Sequence, residues 1–198
     1  MGDKPFAPRT SLLPPGEGSG DEGTERKAFI RSSVDNPQSA FWQFSLAFYA
    51  RPKVAAACLE LQDSAGVDVN VMLYLLFLAA QNRQVSRDEV ARIDALAGAW
   101  REQVVLPLRT LRRALKTGIA PCPAEANEAL RNSVKRIELD AERIEQEAIE
   151  RLAPVQSTGT PASPPFDAAR ANLAAYAAFL GALPAAPLKL VLDAVAAF

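Results

Sequence analysis

Apolar residues recur every three or four positions from Val90 to Ala148, and one short segment rich in Gly and Pro interrupts the pattern. This spacing places the apolar side chains along one face of an α-helix. The interruption at 117–123 has the composition of a loop. The pattern therefore predicts two long helices, at about 88–116 and 123–152, that fold against each other as an antiparallel hairpin.

Local signals refine the two predicted hairpin helices. Ser86 and Glu89 form a capping box, in which each side chain accepts a hydrogen bond from the other residue's backbone N–H, so the first helix begins here. Pro107 removes one backbone donor inside that helix, and we expect a bend near Gln103. The second helix has the heptad spacing typical of coiled-coil packing. The apolar stripes are Val90, Ile93, Ala97, Trp100, Val104, Leu108, Leu111 and Leu115, and then Leu130, Val134, Ile137, Ala141, Ile144 and Ala148.

Shorter helices are expected on both sides of the hairpin. Asp35-Asn36-Pro37 supplies a capping side chain and a proline for a first helical turn, and Gly66 can end a helix in the left-handed conformation. Asp68 precedes a segment that is apolar almost all round, which favours a central buried helix; its Val and aromatic content leaves a strand as the alternative. The predicted ranges are about 37–50, 52–66, 69–78, 166–180 and 184–198.

These elements predict an all-α fold, a helical bundle built around the hairpin. Residues 1–34 begin with a stretch rich in Pro, Gly and Ser that lacks the apolar region of a signal peptide, and we expect a disordered tail. Residues 35–153 form the predicted helical domain and 154–165 a linker rich in Pro, Ser and Thr, while the Ala-rich helices of 166–198 are expected to dock on the same domain. The most apolar run, 71–80, is about half as long as the roughly 20 residues of a membrane span.

Composition limits the chemistry that the chain can support. The 198 residues include no His, which removes the commonest general base and metal ligand. We therefore expect no catalytic residues, no metal and no cofactor, and an enzyme is the less favoured class. Cys58 lies on an apolar stripe and Cys122 between two prolines; two separated cysteines favour a reducing, cytoplasmic location. The net charge of -1 and a pI of about 5.6 argue against nucleic acid as a partner.

Three oxygen-bearing side chains near Gly66 superficially suggest a cation site. Asp63, Asp68 and Asn70 do not match the spacing of a calcium loop with its distal Glu. Capping of the neighbouring helices is the preferred interpretation of these residues.

Charge is sorted along the predicted hairpin. The half next to the loop contains seven cationic residues and two acidic ones, whereas the opposite half is strongly acidic. Arg109, Arg112 and Lys116 are spaced to form one exposed stripe, which could bind phosphates or an acidic helix; a solvated basic face is the simpler interpretation. The candidate residues for binding a partner or an anion are Arg109, Arg112, Arg113, Lys116, Arg131, Lys135 and Arg136.

The aromatic residues offer a second candidate site. Trp42, Tyr74 and Trp100 could line a pocket for an apolar ligand. Aromatic residues at helical spacing usually belong to a core, and core packing is the preferred interpretation of the aromatic run at 41–49.

Several short phrases of the sequence are similar to a known family. They are Phe41 to Tyr49, Ala57 to Leu59, Leu61 to Asp63, Gly66 to Asn70, Leu111 to Lys116, Glu138 to Arg143 and Asn172 to Tyr176. On these phrases the chain resembles, over roughly 35–180, a family of uncharacterised proteobacterial helical proteins of unknown function. Lys53 stands where family members often carry Gly. The resemblance implies a cytosolic, all-helical bacterial protein and carries no established activity.

Two hypotheses of function follow from these patterns. The first is a non-enzymatic protein-interaction module that associates with itself or with an acidic protein partner through the charge-polarised hairpin. Head-to-tail pairing of two copies would neutralise both ends. The second is a small-molecule-binding protein or enzyme for an anionic or phosphorylated apolar ligand, in which the basic stripe binds the anion. Its weakness is that the sequence offers no pair of residues for acid–base catalysis.

Overall fold

A computed structural model describes residues 39–196 of the chain. Helices dominate this part of the protein, and the predicted all-α class is confirmed. The elements are α1 (Ala40–Tyr49), α2 (Val54–Ala65), α3 (Val69–Ala80), β1 (Arg83–Gln84), α4 (Arg87–Trp100), a π-helical segment (Arg101–Val105), α5 (Leu106–Lys116), α6 (Ala124–Leu152), β2 (Thr160–Pro161), α7 (Pro165–Leu180) and α8 (Ala185–Ala196).

Side-chain caps fix where several helices begin. Asp68 accepts hydrogen bonds from the backbone N–H groups of Asn70 and Val71 at the start of α3. Ser86 and Glu89 form the predicted capping box of α4. At α1 the capping side chain is that of Ser39, whereas the predicted cap at 35–37 lies outside the described residues. The capping residues in the sequence thus predicted correctly where α3 and α4 begin.

Helix α3 lies at the centre of the core, and the alternative of a strand is wrong. Every residue from 69 to 79 is buried. Tyr74 packs edge-on against Phe41 of α1, with ring centroids 4.9 Å apart, and its hydroxyl donates to the carbonyl of Ala153. Because α3 is surrounded by α1, α4, α6 and α7, it has no solvent-facing side that would require polar residues.

The segment 154–165 is attached to the helical body by backbone contacts. Its strand β2 pairs antiparallel with β1. Gly159 has a φ of 69°, and a β-carbon there would lie 2.4 Å from the carbonyl oxygen of Gln84, so the close approach requires glycine. The side-chain amide of Asn172 donates to the carbonyls of Leu75 at 2.9 Å and Arg83 at 3.1 Å, which joins α7 to α3 and β1.

A π-helical turn changes the register between α4 and α5. The N–H of Leu106 donates to the carbonyl of Arg101, a bond across five residues instead of four. The turn lies where the proline at position 107, which lacks an N–H, cannot donate to the carbonyl of Gln103. One inserted residue rotates the following helix by about 100°. Between Ala97 and the end of α5 the buried positions are Arg101, Val105, Arg109, Arg112 and Leu115.

Two expectations about which side chains face inwards are wrong, one on α5 and one on α6. From the π turn onwards, Val104 and Leu108 of the predicted stripe are partly buried and Leu111 is exposed, whereas Leu115 is buried as predicted. Arg109 and Arg112 lie on the buried side of α5. On α6 only Val134 and Ala141 of the predicted stripe are buried, whereas Leu130, Ile137 and Ile144 are 50%, 53% and 42% exposed. The inner face of α6 carries carboxylates instead.

Candidate functional site

A network of charged side chains is buried between α3, α4, the π-helical segment and α6. Arg101 is 4% exposed, and its Nη1 lies 2.5 Å from Asp68 Oδ2 and 3.2 Å from Asp94 Oδ1. Burial would lower the pKa of Arg101, but the two carboxylates raise it above its ordinary value. Tyr176 of α7 accepts from the N–H of Asp68 at 2.9 Å, so a fourth helix is bound to the same carboxylate-bearing residue.

The second part of the network lies between α5 and α6. Arg109 contacts Glu138 at 3.1 Å and Glu142 at 2.6 Å, and Arg112 contacts Glu138 at 2.6 Å. The order of these pairs shows that the two helices run in opposite directions. Arg109 and Arg112 are only 2% and 7% exposed, so the expectation that they form an exposed stripe is wrong. The cause is the π turn, which directs them towards the glutamates of α6.

Glu145 is the least compensated charge in the network. Its Oε2 accepts from the side-chain amide of Asn70 at 3.1 Å, and that amide's oxygen accepts from Gln146 at 2.6 Å. Its Oε1 has no hydrogen-bond partner within residues 39–196. Burial first, and then the charges of Asp68 and Glu142, raise the pKa of Glu145 well above its ordinary value of 4.5, although Arg101 and Arg109 act in the opposite direction.

The outward side of α5 and α6 is apolar. We call it the α5–α6 face and define it as Val104, Leu108, Leu111, Leu130, Ile137 and Ile144. Four residues of this face line an open groove of about 380 Å³ together with Gln103 and Pro107; they are Val104, Leu108, Leu111 and Ile137. Leu130, Ile137 and Ile144 are seven residues apart, which places them on one side of α6. Ile137 thus belongs both to this stripe and to the lining of the groove.

The other predicted basic residues lie nearer the surface. Arg113 is exposed and 3.5 Å from Asp63 of α2, while Arg131 is partly buried and 3.1 Å from Glu128. Arg136 is exposed and donates to the hydroxyl of Ser133. Lys116 is exposed and Lys135 is partly exposed. The structure thus divides the seven candidates into two core arginines and five surface cations around the loop.

The charged residues at the surface are unevenly distributed, even when the buried ion pairs are left out of the count. The end of α5 and α6 near the loop retains five cationic side chains, Arg113, Lys116, Arg131, Lys135 and Arg136, and two acidic ones, Glu125 and Glu128. The other end, which comprises α4, the π-helical segment and the second half of α6, retains the cationic Arg87, Arg92, Arg143 and Arg151 and the acidic Asp88, Glu89, Glu102, Asp140, Glu147 and Glu150. The loop end is therefore net positive and the opposite end net negative.

The three aromatic candidates lie in different environments. Trp42 and Tyr74 are enclosed in the core, whereas Trp100 is 37% exposed and donates from Nε1 to the carbonyl of Ala141 at 2.9 Å. Cys58 is also enclosed, and burial raises the pKa of its thiol to about 12, while Cys122 is exposed. Core packing of Trp42 and Tyr74 accounts for their positions.

Sequence reasoning missed the buried network because its members come from four separate segments. The one available signal was the run of glutamates at 138, 142 and 145, which falls on the side of α6 next to the apolar stripe. Within residues 39–196, no group of three or more acidic or cysteine side chains is arranged to hold a metal ion. In the same range, no helix combines the length and apolar character needed to cross a membrane.

The fold and these surfaces define an all-α protein with a charged interior and an apolar outer helix face. Residues 40–149 match the family described as "Protein of unknown function (DUF2390)". The match covers more than half of the chain, from α1 to the last turn of α6, and the chain belongs to this family. Comparisons with curated proteins and with solved structures returned no match. The family assignment agrees with the resemblance to proteins without an established activity.

Proposed function

We propose that this protein is a non-enzymatic helical module that associates with a second copy of itself through the α5–α6 face. The observation that carries the proposal is the exposure of Leu130, Ile137 and Ile144 at heptad intervals beside an apolar groove. Large apolar patches on a soluble protein typically mark interaction sites, because their burial against a partner is favourable. The arrangement resembles one half of a coiled-coil interface.

Charge favours a second copy as the occupant of this face. One end of α5 and α6 is net positive and the other is net negative. A second copy laid head to tail would place each end beside its complement, which favours association and selects its direction. The buried arginines Arg101, Arg109 and Arg112 are paired with carboxylates of the core, so they support folding and not partner binding. We also propose a cytoplasmic location, supported by the two unpaired cysteines.

The proposal for a small anionic ligand receives less support. Arg109 and Arg112, which were to bind the anion, are held by Glu138 and Glu142 inside the protein. An incoming phosphate would have to displace these carboxylates from a buried position, which leaves their negative charges without compensation.

Replacing Ile137 tests the self-association. We expect Ile137→Glu to weaken the dimer at least about tenfold, or about 1.4 kcal/mol, because it puts a charge into the centre of the apolar contact. The matched control is Leu190→Glu, which changes a similarly exposed leucine on α8, away from the α5–α6 face. Size-exclusion chromatography coupled to light scattering measures the molar mass of each variant. Equal masses for both variants at every concentration would refute the proposal.

A further inference from the structure

We infer that the two copies pair antiparallel, around a two-fold axis that passes close to Ile137 of each α6. This inference rests on the proposed function and deepens it by giving the direction and centre of the contact. It depends on three observations: the spacing of the exposed stripe, the position of the groove and the distribution of surface charge.

The exposed stripe is symmetrical about Ile137. Leu130 and Ile144 lie seven residues before and after it, so each is about 10 Å from it along the helix axis. An interface with two-fold symmetry uses the same patch on both copies and must be complementary to itself. Antiparallel pairing about Ile137 places Leu130 of one copy against the partner's Ile144, and so aligns the whole stripe.

The groove lies beside Ile137, where it can receive the Ile137 side chain of the second copy. It borders Ile137 and extends towards α5, where Val104, Leu108 and Leu111 form its apolar wall. Near a two-fold axis, Ile137 of each copy can enter the groove of the other, in the manner of a knob in a hole. The same side chain thus supplies the projection on one copy and part of the recess on the other.

Surface charge distinguishes antiparallel from parallel pairing. Parallel pairing would bring the loop ends together and place Arg136 and Lys116 of both copies side by side. Antiparallel pairing instead places the net positive loop end along the net negative end, which contains Glu102, Asp140 and Glu147. Arg131 then lies opposite Arg143, but each is paired with a glutamate of its own helix, Glu128 and Glu147. Like charges in contact are destabilising and opposite charges steer association, so the antiparallel direction is favoured.

Disulfide trapping tests this geometry directly. The background variant is Cys122→Ser, which removes the exposed thiol; Cys58 is fully buried and can stay. Leu130→Cys, Ile137→Cys and Ile144→Cys are introduced one at a time and oxidised at a concentration where the reduced protein sediments as a dimer. Leu190→Cys is the control for collisional cross-linking. A disulfide requires Cα atoms within about 7 Å of each other.

Antiparallel pairing predicts a specific pattern of cross-links. Ile137→Cys alone should form an interchain disulfide. Leu130→Cys alone and Ile144→Cys alone should cross-link no more than Leu190→Cys, because the two equivalent cysteines of the dimer are about 20 Å apart. A mixture of the two variants should cross-link.

Cross-linking of all three single variants would show parallel pairing and overturn the inference. A dimer without any cross-link above the control would also overturn it while leaving self-association intact. A monomeric background protein would refute the proposed function itself.

Discussion

Arg101 joins three helical segments through two buried carboxylates. Removing its guanidinium would leave Asp68 and Asp94 charged and without their common cation in the interior. Breaking one side of a buried ion pair typically costs about 3–5 kcal/mol. We expect Arg101→Met to lower the free energy of unfolding by this amount, as measured by urea titration.

Arg92 supplies the matched control for that substitution. It lies on α4, and its side chain is 76% exposed and 3.8 Å from Glu89. Arg92→Met should change the free energy of unfolding by less than about 0.5 kcal/mol, because a solvated pair contributes little. If both variants lost the same stability, the buried pairing of Arg101 would not have the role given to it here.

Glu145 gives the protein a pH-dependent stability with a definite sign. Its pKa is raised in the folded state, so the protonated side chain favours folding. This contribution to the free energy of unfolding is complete below the ordinary pKa of 4.5 and is lost as pH rises towards the pKa in the folded state. Glu145→Gln imitates the protonated form and does not titrate. We expect its stability relative to the native protein to increase with pH above about 4.5, by at most about 1.4 kcal/mol per pH unit.

Urea titrations of both proteins between pH 4.5 and 8 measure this difference. The difference between the two proteins isolates the effect of Glu145, whose pKa is raised by burial and by the charges of Asp68 and Glu142 and lowered by those of Arg101 and Arg109. A difference in stability that stays constant across this range would show that Glu145 is ionised like an exposed carboxylate.

Single residues also show where sequence reasoning succeeds. The capping roles of Asp68 and Ser86 were predicted correctly, since a cap depends on residues two or three positions away. The burial of Arg109 and Arg112 was not predicted. It depends on glutamates of another helix and on a change of helical register, neither of which is encoded in the local spacing of charges.

The start of α4 links a helix to a distant loop. Glu89 accepts from the N–H of Ser86 at 2.8 Å and from the N–H of Gly159 at 2.9 Å. Burial would raise the pKa of Glu89, but these hydrogen bonds and the charge of Arg92 lower it overall. The capping box therefore also holds the segment that carries β2 against α4.

We expect Glu89→Ala to lower the free energy of unfolding by about 1–2 kcal/mol, because two backbone N–H groups lose their acceptor. Glu125→Ala is the matched control, since Glu125 also lies in the first turn of a helix but is exposed; it should cost about 0.5 kcal/mol, through the helix dipole alone. Thermal unfolding followed by circular dichroism compares the two. Equal losses would mean that the contact with Gly159 contributes nothing.

Helix positions were easier to predict than helix faces. The long apolar pattern located α4, α5 and α6 to within a few residues, because 3.6-residue periodicity persists through most of their length. The π turn at 101–105 then adds a residue to the repeat, so a stripe extrapolated through it rotates to the wrong side. The proline at position 107 indicated an irregularity there but not its form.

For the whole molecule, composition and pattern were sufficient for the all-α class, because one apolar core of helices accounts for most of the chain. The candidate surface could not be predicted in the same way. The spacing of Leu130, Ile137 and Ile144 predicts core positions, and only their exposure in the folded protein makes them available for the proposed contact between copies. A stripe buried within one chain and a stripe buried between two copies have the same spacing.

Sedimentation equilibrium of the full chain, over a wide range of concentrations, tests the central claim most directly. The chain has a mass of 21.3 kDa. Self-association through the α5–α6 face predicts a mass that approaches twice this value as concentration rises and returns to the single-chain value on dilution. A mass of one chain at every concentration would contradict the account.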